Sequence, residues 1–275
     1  MQMNRDDTVR KILRRTPFLK RRRTDSSGIR LRLQMLSGIL FLFLFVFSIA
    51  HAEPFKVPEK FIYDLTWAGI KAGTASLELT NDGDRVKIVS TAQSAGWVSV
   101  FYTVDDRIES ILSHNPSFSS IGQPVRYRIK IREGKHRRDK EVIFDRSNNK
   151  ANYRDYLKNE KKEFDVPPSV FDPISSFYYL RTLKLTVGEP VYVTIFDSKK
   201  VWNVEVQVLR KERVTLPTGT FNTIVVKPNM KSEGIFYRKG EILIWLTDDA
   251  KRIPVQLQTK VAVGHVTATL VQGVY

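Results

Sequence analysis

Beyond about residue 53, apolar and polar residues alternate with a period of two along most of this chain. Val204, Val206 and Val208 alternate with Glu205 and Gln207. Tyr127, Ile129 and Ile131 alternate with Arg128, Lys130 and Arg132. Val255, Leu257, Thr259, Val261 and Val263 alternate with Gln256, Gln258, Lys260 and Ala262. Successive strand side chains point to opposite faces, so each pattern predicts a strand with one buried and one solvated face. Further strands are predicted near 60–67, 72–80, 85–93, 104–112, 138–145, 150–156, 190–196, 221–227, 235–246 and 265–272. Short turn signals separate them, among them Asn81-Asp82-Gly83-Asp84 and Ser147-Asn148-Asn149-Lys150. Leu216-Pro217-Thr218-Gly219 fits a Pro-led turn with glycine at positive φ.

One helix interrupts the strands. Asp172 is a good N-cap, and Pro173 follows at the first helical position, where a missing N–H costs nothing. Ile174, Phe177, Tyr178 and Arg181 keep helical spacing, and Tyr179, Leu180 and Leu183 add apolar surface on other sides. This helix, near 172–184, is expected to be buried by a sheet. Lys158 to Pro168 reads as the loop leading into it, and a second short helix is expected near Gly96–Thr103. The fold class is therefore all-β, mostly antiparallel, with one buried helix: a strongly curved sheet or open barrel, or alternatively a two-sheet β-sandwich.

The other strong pattern is the apolar run Leu36–Ile49, followed by Ala50-His51-Ala52. A basic lead-in, a short apolar core and small residues before a cleavage point after Ala52 are the parts of a secretory signal. The run is shorter than the roughly 20 residues that span a bilayer, which favours cleavage over an uncleaved anchor. The predicted organisation is a basic, disordered lead-in (1–34), a signal peptide or signal anchor (35–52), and a single β-rich domain (53–275).

Charge follows from this division. Residues 1–52 carry eleven Lys or Arg and three Asp, which is +8 of the formal +16. Positive charge held on the cytoplasmic side of a signal accounts for that tail without nucleic acid. The remaining +8 suits an anionic surface such as lipid headgroups. Cysteine is absent, so an exported domain must rely on its core, and thiol nucleophiles and Cys-based metal sites are excluded.

Several strings in fixed order carry a family resemblance. They are Trp67-Ala68-Gly69-Ile70-Lys71-Ala72-Gly73, Asp172-Pro173-Ile174-Ser175-Ser176-Phe177-Tyr178-Tyr179-Leu180-Arg181, Pro217-Thr218-Gly219-Thr220-Phe221, Ile244-Trp245-Leu246-Thr247-Asp248-Asp249 and Arg252-Ile253-Pro254-Val255. Together they resemble a bacterial family known as domain of unknown function 3108, over about residues 57–273. The resemblance implies an exported, mostly β protein of the Gram-negative envelope and brings no catalytic residues with it.

Signals for chemistry are thin. His114, His136 and His265 are far apart and none lies in an HExxH-type helix. There is no GxSxG elbow or phosphate loop. Asp105, Asp106 and Glu109 could supply a carboxylate pair, but Asp105 and Asp106 should face opposite sides of a strand. No cofactor and no metal are expected.

Two constellations remain. Arg126, Arg128, Lys130 and Arg132 project to one side of a strand, and Arg137 and Arg138 follow after a turn. This cationic set could hold phosphates or carboxylates of an envelope surface; the alternative is a solvated outer face that also protects a sheet edge. Trp67, Trp97, Phe101, Phe177, Tyr178 and Trp245 could line an apolar cavity under the helix, or simply fill the core.

The function expected from these features is a periplasmic binding or chaperone-like module for an apolar or anionic envelope component, without catalysis. A structural protein docking on an envelope complex, and a glycan or lipid hydrolase with an unrecognised motif, are the alternatives. Partners would be lipid, glycan or envelope protein rather than nucleic acid, with membrane contact through residues 35–52 if they are uncleaved. The expected location is the periplasm, or the inner membrane facing it.

Overall fold

The computed structural model describes residues 56–115, 119–197, 199–229, 241–261 and 264–275, which lie in one compact unit, Ala52–Tyr275. The signal segment, the basic lead-in, and the 235–240 and 262–263 portions of two predicted strands lie outside these residues.

The fold is a single antiparallel sheet of fourteen strands. In chain order the strands are β1 (Glu59–Trp67), β2 (Ile70–Asp82), β3 (Arg85–Ser94), β4 (Asp105–Ser113), β5 (Gln123–Glu133), β6 (His136–Asp145), β7 (Lys150–Asp155) and β8 (Glu160–Asp165). These are followed by β9 (Val191–Asp197), β10 (Lys200–Leu216), β11 (Gly219–Pro228), β12 (Ile242–Thr247), β13 (Pro254–Lys260) and β14 (His265–Val274). Helix α1 (Gly96–Ser99) joins β3 to β4, and α2 (Pro173–Thr182) lies between β8 and β9. The spatial order is β8-β7-β6-β5-β4-β3-β2-β1-β14-β13-β12-β11-β10-β9. The two halves of the chain are thus two meanders joined where β1 pairs with β14.

The sheet stops at β8 and β9, which share no backbone ladder. Side chains bridge this seam. Phe164 of β8 and Phe196 of β9 have ring centroids 5.5 Å apart, and Lys199 Nζ lies 2.5 Å from Glu160 Oε2. Phe171, just before α2, forms a parallel bridge with Ile195, giving β9 a short partner along its free edge. This arrangement is an open barrel closed laterally by packing, a single sheet in place of the alternative sandwich.

One predicted loop is a strand. Glu160–Asp165 reads Glu-Lys-Lys-Glu-Phe-Asp, almost wholly polar, and pairs with β7. Alternation cannot reveal such a strand because neither face is apolar, and its charges suit a sheet edge that must not recruit other chains. The first hairpin turns through Ala68 (φ 50°) and Gly69 (φ 81°), both left-handed, as a two-residue hairpin loop requires. At Gly73 a Cβ would lie 2.2 Å from the Gln93 carbonyl oxygen, so only glycine fits this close approach.

The core lies inside the barrel. Phe61, Leu79, Ile88, Leu112, Tyr127, Phe144, Ile224 and Leu246 are among its buried side chains. Helix α2 is capped as the sequence predicts. Asp172 Oδ1 accepts from the Ile174 and Ser175 amides at 3.0 Å, and Ser110 Oγ on β4 donates to Asp172 Oδ2 at 2.6 Å. That last bond fixes the helix start to the inner wall of the sheet. Burial pushes the Asp172 carboxyl above the usual carboxylate range, against the hydrogen bonds it accepts.

Candidate functional site

Because the sheet is a meander, every odd-numbered strand runs toward the same end, and the two ends differ. At one end the strands meet α2. Arg181, from its last turn, is fully buried and pairs with the buried Glu59 at the start of β1. Nη1 and Nη2 lie 2.7 Å from Oε2 and Oε1, a bidentate fork. Arg181 also donates to the carbonyls of Lys251 (3.0 Å) and Arg252 (3.1 Å) in the β12–β13 connection, and its guanidinium lies over the Tyr178 ring at 4.9 Å. Glu59 holds the guanidinium pKa above its ordinary value, outweighing the burial that would lower it. Tyr63 Oη donates to the Pro254 carbonyl at 2.8 Å nearby. This end is plugged.

At the other end, hereafter the rim, lie the β1–β2 turn, α1 with its following loop, and the β5–β6, β7–β8, β9–β10 and β13–β14 connections. The inward side chains change character toward it. On β14, β1, β2 and β3 the inward Ala268, Leu65, Ala75 and Ala92 are half-buried, whereas Leu270, Tyr63, Leu77 and Ile88 deeper in are buried. Facing them on β6 to β8 are the half-buried Arg138, Lys140 and Glu160 and the buried Asp155. Near the rim the inward side chains are thus less buried than those deeper in, mostly small and apolar on β14, β1, β2 and β3 and charged on β6 to β8.

The charged wall carries shifted groups. Burial lowers the Lys140 pKa, helped by Arg138 and opposed by Asp155. Its ammonium lies 5.8 Å from the centroid of the Tyr153 ring. Deeper in, Tyr127 is buried, its hydroxyl makes no hydrogen bond, and burial raises its pKa well above the ordinary value. Asp106 is raised to about 6, chiefly by burial, while the Arg132 amide donating to Oδ1 at 2.9 Å opposes the rise. An ordinary aspartate has a pKa of about 3.9. The buried charge therefore costs nothing below pH about 4 and its full penalty above about 6, so this group makes stability fall as pH rises through that window. Asp106→Asn should raise the denaturation midpoint over the parent at pH 8 and leave it unchanged at pH 4. An equal effect at both pH values would refute the assignment.

The predicted site residues separate into three places. Arg126, Arg128, Lys130 and Arg132 do share the outer face of β5, but acidic neighbours interleave them. Arg126 pairs with Glu141 at 2.7 Å, Arg128 pairs with Asp139, and the Arg128 guanidinium stacks 4.0 Å from the Tyr156 ring centroid. Arg137 lies on this outer face, whereas Arg138 takes the inner one. Of the aromatic set, Trp67, Trp97 and Phe101 sit exposed at the rim. Phe177 is half-buried and Tyr178 is buried beside Arg181 at the plugged end. Trp245 is buried, with its indole N–H directed to Glu212 on β10. These six residues do not line one cavity.

Sequence reasoning did not single out the Glu59–Arg181 pair. The signal available was that Arg181 is the one charged residue between the Asp172 cap and Lys184 of a helix predicted to be buried, which requires a buried partner. It also passed over Ile70, Val100 and Leu157 at the rim. Asp105 is exposed and Asp106 buried, as alternation predicts. His114 lies at the plugged end and His136 and His265 at the rim, and among the described residues no three His, Asp or Glu side chains converge as a metal-binding group. No helix among the described residues is long and apolar enough to cross a membrane.

The five resemblance strings map onto this geometry: four lie at the plugged end or just inside it, and Trp67–Gly73 forms the rim hairpin. A family model described as a protein of unknown function, DUF3108, matches residues 62–271. The chain belongs to this family. No curated protein matches the chain. Among solved structures, a β-barrel-like protein of another family of unknown function, DUF1849, from Brucella abortus is 14% identical over 79% of this chain and 97% of its own, with a TM-score of 0.50. A hypothetical protein from Chlamydia trachomatis is 7% identical over 80% of this chain and 88% of its own, with a TM-score of 0.37. The first likeness is one of fold, so the DUF3108 chain takes a barrel-like architecture that by itself names no activity.

Proposed function

We propose that the protein is an exported, non-catalytic binding module of the cell envelope that takes up an amphipathic component at the rim end of its barrel. The observation that carries this reading is the inner wall. A ligand with an apolar part and a charged head finds small apolar side chains (Ala75, Ala92, Ala268) on one side and Arg138, Lys140 and Asp155 on the other. Among the described residues Lys140 forms no ion pair and Tyr127 Oη no hydrogen bond, so both can bind a polar head without first breaking a strong contact. The Leu36–Ala52 signal supports export to the periplasm, with the charged tail left behind.

The test is native mass spectrometry of residues 53–275 purified from a periplasm, followed by lipid extraction. A bound amphiphile lost from Lys140→Ala but kept by Arg126→Ala is the expected result. A mass equal to the bare polypeptide under gentle conditions would remove the support for ligand carriage.

A further inference from the structure

Large apolar side chains are not scattered evenly over this surface. Fourteen are exposed among the described residues, and nine of them lie at the rim: Trp67, Ile70, Trp97, Val100, Phe101 and Tyr102 around the first hairpin and α1, then Tyr156 and Leu157 in the β7–β8 turn and Val201 at the start of β10. Val100 is 77% and Phe101 84% exposed, values that no packing role explains. Single exposed apolar residues are ordinary; a concentration at one end of a molecule marks an interaction surface.

The local structure holds these side chains outward. The hairpin tip at Ala68-Gly69 places Ile70 at its turn. The Ala95 amide donates to the Ala72 carbonyl at 2.7 Å, and the Trp97 indole N–H donates to the Lys71 carbonyl at 2.9 Å. The α1 loop is thereby fastened to the first hairpin, with the polar edge of Trp97 satisfied and its carbons presented to solvent. Tyr102 packs against the β5–β6 turn at Gly134, where a Cβ would meet its ring at 2.6 Å. The protruding Val100-Phe101 tip therefore stands on a braced base.

The same end is cationic. Lys135, Arg137, Lys158, Lys200 and Lys260 are exposed in its connections, against the exposed Asp105 and the paired Glu241. Aromatic and aliphatic tips surrounded by lysine and arginine match the boundary of an anionic bilayer. There indole and phenyl groups lie at headgroup depth while cations meet lipid phosphates. We infer that the rim docks on the surface of an anionic phospholipid bilayer, inserting Val100, Phe101 and the edge of Trp97 among the headgroups. This goes beyond the carriage of a ligand: it would set the mouth of the barrel against the membrane from which an amphiphile enters or into which it leaves.

Residues 53–275 would be mixed with vesicles of neutral phosphatidylcholine or of phosphatidylcholine with one third phosphatidylglycerol, and binding read by co-sedimentation and tryptophan emission. The parent should bind the anionic vesicles with a blue shift from Trp97 and release at high salt. Val100→Asp with Phe101→Asp should weaken the partition constant by roughly tenfold or more, because burying a single phenylalanine-sized side chain is worth at least about that factor. Both residues are exposed, so folding should be kept, which the unchanged emission of the protein without vesicles verifies. Lys135→Glu with Arg137→Glu should lower binding to anionic vesicles and leave weak neutral binding unaltered. Equal binding to both vesicle types, or parent-like binding by the Val100/Phe101 variant, would overturn the inference. Any ligand retained by that variant in native mass spectrometry reports on carriage separately, so either idea can fail alone.

Discussion

Arg181→Ala is expected to destabilise the barrel by about 3–5 kcal/mol, the cost of leaving one member of a buried ion pair without its partner. The Glu59 carboxylate is 1% exposed and receives both arms of the guanidinium. Losing Arg181 also frees the Lys251 and Arg252 carbonyls, so helix α2, β1 and the β12–β13 connection part together. Arg181→Lys should recover only part of the loss, since an ammonium cannot present two parallel donors to Glu59 while reaching the two carbonyls. The double change Glu59→Leu with Arg181→Met should cost far less than either single change, because no uncompensated charge remains. Urea denaturation of the four proteins measures the cycle. A loss under about 1 kcal/mol for Arg181→Ala would show that the pair does not hold the plug.

Phe196→Ala is expected to cost a similar amount, about 3–5 kcal/mol, and to act in a particular place. Phe196 is 1% exposed, and its ring meets Phe164 at 5.5 Å and Phe144 at 6.3 Å. Elsewhere around the barrel, neighbouring strands are joined by backbone ladders, but β8 and β9 share none and are bridged by such side chains and by the Lys199–Glu160 pair. That pair is reached and screened by solvent, so apolar packing carries the seam. Removing Phe196 should therefore raise amide exchange in β7, β8 and β9 before it does so in β2, β3 and β4. Uniform acceleration across the sheet would mean that the seam is not a separate element of stability.

The fold was largely legible in the alternation, because a sheet with one buried face must write its period into the sequence. The strands from β1 to β7 and from β9 to β11 begin and end within a few residues of where alternation and turn signals place them, and the Asp172-Pro173 start of α2 is where the cap chemistry requires it. β8 was not legible: Glu-Lys-Lys-Glu-Phe-Asp has no apolar face, and it is a strand because β7 supplies a ladder on one side. The basic face of β5 was legible as a face. Its partial neutralisation was not, because Glu141 and Asp139 reach it only through the β5–β6 register.

The aromatic residues show the same division more sharply. Trp67, Trp97, Phe101, Tyr178 and Trp245 are alike in composition, and nothing local separates them. The meander sends Trp67, Trp97 and Phe101 to the rim, where the chain turns and they are exposed. It sends Tyr178 inward with α2, beside the guanidinium of Arg181.

Alone, then, the sequence determined the strands with an apolar face, the capped helix, the family and the expectation of export, since each is set by residues within a few positions of one another. Only the tertiary structure decided that the sheet is single and breaks at β8 and β9, that Glu59 and Arg181 meet across 122 residues, and that one end of the barrel is plugged while the other is apolar, cationic and exposed. These are contacts between distant segments, fixed by strand order and register, and no local pattern encodes them.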